Sequence, residues 1–583
     1  MTGLAGQAEA KHLGCYYGAW AYTRPGMGEF WPEDIDVELC DVIYYGFGNI
    51  LNDTYEVCSW DPWFDLSMEV EGNSIDIFNC IKERDGIAWP PGCITDAGLE
   101  YCHHDGMRRT IALKQKKPEL KVLFSVGGWT AGGWVYSQMA QTEATRSMFI
   151  RSAVHFLNHF GFDGLDLDWE FPALDMLPEE PTDPNDKYHF TSLMQEIHEV
   201  FSKEGLLITF AASPDPAKAF NAYELDKVHP NVDWINVMTY DYGGLWDGFT
   251  GIDAPLFGRW EEGFEGHPHY NFNIDATMKY YLSLVPPEKL SLGIHTEAKG
   301  FLLDENTENG IYCPAVGSPN MTFSRQEGWL NYYEILQFFY NETIEDPLYQ
   351  ELGIKPGKEF WNEFTDGCYK APYIHQGPLW ISYDDEISVD IKTRYANHFG
   401  LKGAFVWEVD TDNFMGMWGK ERYTVTAAIA RALTKGDGLT DDELLSNANQ
   451  NGACTPQAEL CYPGEYTPTI PTLSTVWGTS PGTTVSGLPG TSTSAPTGTS
   501  ATASPGTSTS TTSAPHECNE VGCTGDGDLT PYPGDCHKYY KCVYDSNGGC
   551  HLETHTCNDW WFDPMTDSCG WEPLPGNEHL CNQ

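Results

Sequence analysis

Residues Phe162 to Pro172 read FDGLDLDWEFP and pack four carboxylates, Asp163, Asp166, Asp168 and Glu170, into eight positions of otherwise apolar, strand-like sequence. Ionised carboxylates are rarely taken out of water unless paired, hydrogen-bonded or protonated, so several on one strand imply a purpose. Side chains alternate along a strand, which puts Asp166, Asp168 and Glu170 on one face and Leu165, Leu167 and Trp169 on the other. Asp163 has the opposite parity and is expected to cap or brace the strand. A run of charge is usually a solvated loop, but the interleaved Leu, Leu and Trp argue against that here. Three carboxylates in a row repel one another, so at least one pKa should rise, which is the condition for a general acid. The chemistry that fits is hydrolysis of a glycosidic bond or a metal site. No HExxH or clustered His/Asp spacing supplies further metal ligands, so neither a metal nor a cofactor is expected.

This stretch lies within a regular alternation. HLGCYYGAWAY and VIYYGFGNI read as buried strands, KVLFSVGGW as a strand running into a Gly-rich turn, and TRSMFIRSAVHFLNHFG as a helix with apolar residues at helical spacing. A helix around Tyr188 to Glu204, strands LLITFAAS and WINVMTYDY, helix IDATMKYYLSLV and strand LSLGIHT follow, and LKGAFVWEVD with TVTAAIARALTK completes the set. Alternating strands and helices predict an α/β fold, a (β/α)8 TIM barrel. Its site should lie at the C-terminal strand ends, where SVGGW, DLDWE, MTYDY and FVWEVD all fall. Residues 297–385, roughly ninety, are too many for a βα loop and should form a small inserted α+β domain.

The rest of the chain divides by composition. A polar lead over 1–11 precedes a domain over 12–461. A Ser/Thr/Pro/Gly-rich stretch over 462–516 cannot bury a core and reads as a disordered, O-glycosylated stalk. The unit over 517–583 is too small to stand without staples, which its eight Cys provide. The full chain holds 18 Cys, and Asn52, Asn320 and Asn341 begin glycosylation acceptor triplets; together these point to an oxidising, extracellular setting and a secreted protein. Two local disulfides are expected among Cys58, Cys80, Cys93 and Cys102, with the pairing open. MTGLAGQAEAKHLG has no apolar h-region, so a trimmed secretory signal or an incomplete N-terminal sequence is inferred. No run is long and apolar enough to span a bilayer. The net charge of −51 excludes a nucleic-acid footprint and an anionic membrane surface and suits an uncharged or cationic partner. With 20 Trp and 31 Tyr the chain has aromatic faces to spare for stacking on pyranose rings, although much of that content is core.

FDGLDLDWEFP, SVGGW at Ser125 to Trp129, MTYDYGGLWD at Met238 to Asp247 and YDDEISVDIKTRYANHFGLKGAFVWEVDTDNF together resemble the glycoside hydrolase family 18 chitinases, from about Cys15 to Leu433. The resemblance implies a retaining mechanism assisted by the substrate, an exception to the two-carboxylate scheme. By the family pattern Glu170 protonates the leaving oxygen, Asp168 orients the 2-acetamido group, Asp166 shares a proton behind it and Tyr240 hydrogen-bonds the acetamido oxygen. Tyr16, Met238 and Asp241 line the site, Trp407 forms its floor, and Trp20, Trp129 and Trp246 carry neighbouring sugars. The family's bridge between Cys15 and Cys40 is matched, and Cys313 with Cys368 and Cys454 with Cys461 are expected as further pairs.

The chain also departs from that pattern. Gly243 stands where the family has His, Leu245 where a small residue is common, and HTEAK replaces Pro-Thr-Tyr-Gly-Arg, so Glu297 and Lys299 stand in for a sugar-binding Tyr and Arg. One family disulfide is missing at both ends, as Leu336 and Trp418.

The tail is similar to the invertebrate-type chitin-binding domain (peritrophin-A, carbohydrate-binding module family 14). Cys523, Cys536, Cys542, Cys557, Cys569 and Cys581 match its six positions and leave Cys518 and Cys550 as an additional pair. Tyr539, Tyr540, Trp560, Trp561 and Trp571 are its candidates for stacking on chitin. The expectation is therefore a secreted, monomeric chitinase acting on chitin and N-acetylglucosamine oligomers. The alternatives are a chitin-binding lectin of weak or no turnover, and cleavage of the chitobiose core of N-glycans, against which the tail speaks.

Overall fold

Eight mostly apolar segments of four to nine residues form the parallel strands β1 His12–Gly18, β2 Val42–Ile50, β3 Lys121–Gly127, β4 Gly164–Asp168, β5 Leu207–Ala212, β6 Trp234–Val237, β7 Leu290–His295 and β8 Gly403–Trp407. Each pairs with its neighbour in chain order, and β1 pairs with both β2 and β8, Cys15 lying beside Ile43 and Val406, so the sheet closes into a barrel. This computed structural model describes residues 11–66, 94–96, 99–101, 104–174, 182–259, 269, 271–304, 309–341, 347–440, 529–531, 538–544, 550–556, 561–563 and 568–570. The fold is the α/β one expected, a (β/α)8 barrel. Among the described residues no helix is long and apolar enough to cross a membrane.

The covering helices follow from local signals. Helix α1, Glu143–Phe160, starts at Thr142, whose hydroxyl accepts from the Thr145 amide. It stops at Gly161, where φ of 89° suits a residue without a Cβ. Its apolar stripe, Phe149, Ile150, Ala153, Phe156, Leu157 and Phe160, is buried against the barrel wall. Helices α2 Asp186–Glu204, α3 Ile274–Leu282, α4 Glu386–His398 and α5 Thr424–Lys435 occupy the stretches where apolar spacing places them.

Directly after β7 the chain enters a second, antiparallel sheet. Glu297–Leu303 pairs with Ala315–Gly317, Trp329–Asn331 and Leu379–Ser382, the last of which pairs with Pro372–Gln376, and that in turn with Asn362–Thr365. Helix Tyr332–Tyr340 lies in the same insertion. The Cys15–Cys40 disulfide is formed, and Cys58, Cys313 and Cys368 are each disulfide-bonded. Where the family's second bridge is missing, Leu336 is buried and the Trp418 indole donates to Asn341 Oδ1 at 2.9 Å, a hydrogen bond in place of a covalent link. Asn52 and Asn320 are exposed, and Asn341 is half-buried.

The second unit, Thr475–Gln583, contains the antiparallel strands Leu529–Pro531, Lys538–Tyr544 and Cys550–Thr556, and the hairpin Trp561–Asp563 with Ser568–Gly570. Tyr539 lies opposite His555 and Tyr540 opposite Thr554. Cys523, Cys536, Cys557, Cys581, Trp560 and Trp571 lie outside the described residues, as do the stalk and Cys454 with Cys461.

Candidate active site

Strand β4 carries the acidic stretch through the barrel to its C-terminal mouth. Asp163, just before the strand, stands at the opposite end. It accepts from the Val122 amide at 2.9 Å and pairs with Lys114 at 2.7 Å and Lys121 at 3.4 Å. Asp166 is buried inside the barrel, in a layer drawn from four other strands. Its Oδ2 accepts from Tyr16 at 2.8 Å and Ser125 at 2.7 Å, and its Oδ1 from Thr209 at 2.6 Å and Asn236 at 3.3 Å. Burial raises its pKa while these four hydrogen bonds pull it back. Both oxygens are thus engaged, and no hydrogen bond joins Asp166 to Asp168.

Asp168 ends the strand, two residues nearer the mouth and almost wholly buried, and its Oδ1 receives no hydrogen bond among the described residues. Burial, then the charges of Glu170 and Asp166, hold its carboxyl well above the usual range. Glu170 follows just beyond the strand and is half-buried. Burial and the neighbouring Asp241 push it up to about 8, against Lys218 and a backbone hydrogen bond from Trp129. Glu170 therefore keeps its proton at neutral pH, and Asp168 is harder to ionise than a free carboxyl. Leu165, Leu167 and Trp169 are buried in the hydrophobic core.

The Gly pair of SVGGW makes this approach possible. A Cβ on Gly127 would lie 2.0 Å from the Asp168 carbonyl oxygen, and φ there is 126°. The next amide, Gly128 N–H, donates to that same carbonyl at 2.8 Å.

Around the mouth, Trp20, Trp129 and Trp246 stand 39%, 45% and 42% exposed, unusually wet for the largest apolar side chain and therefore free to stack on a ligand. Trp407, at the end of β8, packs against Tyr16 and Trp20. Phe47, which sequence reasoning missed, stacks on both Trp20 and Trp407 at centroid distances of 5.9 and 5.7 Å. Its only advance signal is its place between the small residues of YYGFGNI. Met238 and Tyr240 line the wall almost buried, and Asp241 opens to solvent. Tyr16 is placed differently from a sugar contact: it is 1% exposed and spends its hydroxyl on Asp166.

The two departures at Glu297 and Lys299 prove to belong to a buried charged chain. Lys299 Nζ is 2.6 Å from Asp241 Oδ1 and 4.3 Å from the Trp329 ring centre, and Trp329 in turn packs against Trp246. Glu297 Oε2 is 2.8 Å from His295 Nε2, and His295 Nδ1 is 2.7 Å from Asp253 Oδ2. Gly243 leaves room for the segment that brings Asp253 in, since a Cβ there would press on the Ile252 carbonyl at 3.0 Å. Asp241, Asp253 and His295 have ligand atoms within 4.8 Å of one another, as a cation site would. Lys299 already stands 2.6 Å from Asp241 and 3.8 Å from Asp253, so the positive charge a metal would bring is supplied by the chain.

Comparison with known proteins agrees on one group. Residues 12–412 match the family model described as Glycosyl hydrolases family 18. Chitotriosidase-1 of Mus musculus is 31% identical over 417 residues, 70% of this chain and 74% of that protein. Probable chitinase 10 of Drosophila melanogaster is 30% identical over 439 residues, 74% of this chain; the chain spans only 16% of that relative. The crystal structure of Ostrinia furnacalis Group IV chitinase in complex with allosamidin is similar with a TM-score of 0.60 and 30% identity, covering 73% of this chain and all of that one.

Proposed function

The chain belongs to glycosyl hydrolase family 18 and is a glycoside hydrolase, and on that premise we propose that it cleaves the β-1,4 linkages between N-acetylglucosamine units of chitin with retention, using the substrate's own acetamido group as nucleophile. Glu170, protonated, gives its proton to the glycosidic oxygen as that C–O bond breaks. The acetamido carbonyl oxygen attacks the anomeric carbon from the opposite face and forms an oxazolinium ion. Asp168 accepts the acetamido N–H and stabilises the positive charge that develops there, and Tyr240 donates to the acetamido oxygen. Glu170, now a carboxylate, takes a proton from water as the water opens the oxazolinium, and the original configuration returns. Asp166 and its four donors fix the strand below, Trp407 lies beneath the sugar, and Trp20, Trp129 and Trp246 stack on its neighbours.

The observation that carries this reading is the unpartnered, buried Oδ1 of Asp168 beside a carboxyl that keeps its proton at neutral pH. An amide N–H on the substrate is the donor that satisfies the first, and a leaving alkoxide is the acceptor that uses the second. The similarity to proteins named as chitinases supports chitin as the substrate class. Secretion, and a chitin-binding role for the tail with Tyr539, Tyr540, Trp560, Trp561 and Trp571, belong to the same proposal and are supported by the cysteine pattern of the tail. Glu170→Gln removes the proton while keeping the shape, and turnover of chitotetraose should fall by about 10²–10⁴-fold. Undiminished turnover would sink the assignment.

A further inference from the structure

His295 closes β7 and is 1% exposed, yet no step above uses it. Its ring stacks on Tyr240 with centroids 4.9 Å apart and planes 19° from parallel. Asp253 at Nδ1 and Glu297 at Nε2 are both acceptors, so both ring nitrogens carry a proton, which only the imidazolium does. The other Asp253 oxygen accepts from the Asp241 backbone N–H at 3.2 Å, and Asp241 holds a left-handed φ of 60°. One carboxylate therefore fixes both the turn that follows Tyr240 and the cation against its ring. Asp168, Asp241, Glu170 and Glu297 all act on that phenol as acidic groups and make it a poorer donor.

Resting on the reading of Tyr240 as the acetamido partner, we propose that His295 is a positioning residue for the hydrolysis: its doubly donating imidazolium holds the Tyr240 ring and the Asp241 turn in place and strengthens the phenol's hydrogen bond to the acetamido oxygen. HTEAK thus brings its own support for the site, with Asp253 and Glu297 as the anchors of the cation. Burial and Lys299 push the His295 imidazole down, but Asp253 and the two hydrogen bonds lift it to about 9. The groups that face it are Asp253, Glu297, Lys299 and Tyr240, with Arg24 and Glu408 behind Glu297.

His295→Gln should lower kcat on chitotetraose by at least about tenfold and raise KM by a smaller factor, because the phenol already binds the acetamido oxygen in the ground state but matters most as charge develops. Added to Tyr240→Phe it should cost nothing more. A kcat within twofold of the parent, or a full additional loss in the double variant, overturns the proposal. Should His295→Gln fail to fold, chitotetraose binding to Glu170→Gln between pH 6 and 10 gives the answer. Affinity should weaken as pH rises through about 9, and the limb should be absent from Glu170→Gln with Tyr240→Phe; a flat profile in the single variant overturns the proposal. If Glu170→Gln itself keeps full turnover, the catalytic reading fails, and the binding arm still reports on His295.

Discussion

A carboxyl that must hold a proton in neutral water needs surroundings that penalise its charge, and Glu170 has them in its burial and in Asp241. The acid form is the working form, and it is lost as pH rises through the raised value. We expect kcat/KM on chitotetraose to be level through neutral pH and to fall about tenfold per unit above pH 8 or so. A profile already falling between pH 5 and 6, where an ordinary glutamate has ionised, would contradict this environment. Parity alone placed Asp166, Asp168 and Glu170 on one face of the strand, because alternation along a strand is a local property. What parity could not read is how Asp166 is satisfied. Its donors Tyr16, Ser125, Thr209 and Asn236 come from four different strands and meet only when the barrel closes. The same holds for His295 and Asp253, which lie 42 positions apart in the chain.

At the scale of elements, the parallel strands and their helices were legible because period-two and helical apolar spacing are written in each segment separately. The antiparallel insertion was legible only as an excess of length, since its pairing of Glu297–Leu303 with Leu379–Ser382 joins the two ends of that length. Hence Glu297 and Lys299 looked like losses in sequence, whereas the sheet sets Glu297 opposite Asn331 and Lys299 opposite Trp329. The junction of β3 and β4 tolerates little change. Gly127→Ala would place a methyl 2.0 Å from the Asp168 carbonyl oxygen at a backbone angle that L side chains avoid. We expect a loss of about 2–5 kcal/mol in stability, read from urea midpoints, and a fall in kcat in whatever fraction folds, because the backbone that must yield is that of Asp168. An unfolding midpoint equal to that of the parent would show that the strands separate at no cost.

At the scale of the whole molecule, the proposed function gives the barrel and the cysteine-rich tail different tasks, hydrolysis and adsorption. A soluble oligomer reaches the aromatic rim by diffusion, so a binding module elsewhere on the chain adds little to its encounter rate. An insoluble chain end does not diffuse, and a module that holds the enzyme on the surface turns each encounter into many attempts at a raised local concentration. The strongly acidic chain, at −51, has no charge attraction to an uncharged polysaccharide, so adsorption must come from stacking and hydrogen bonding. Removing 517–583 should therefore leave kcat/KM on chitotetraose within about twofold while lowering both adsorption to crystalline chitin and its hydrolysis by about 10-fold or more. Equal losses on the two substrates would mean that the tail supports the fold of the barrel, and no loss on either would mean that the exposed Trp20, Trp129 and Trp246 are enough to hold the polymer.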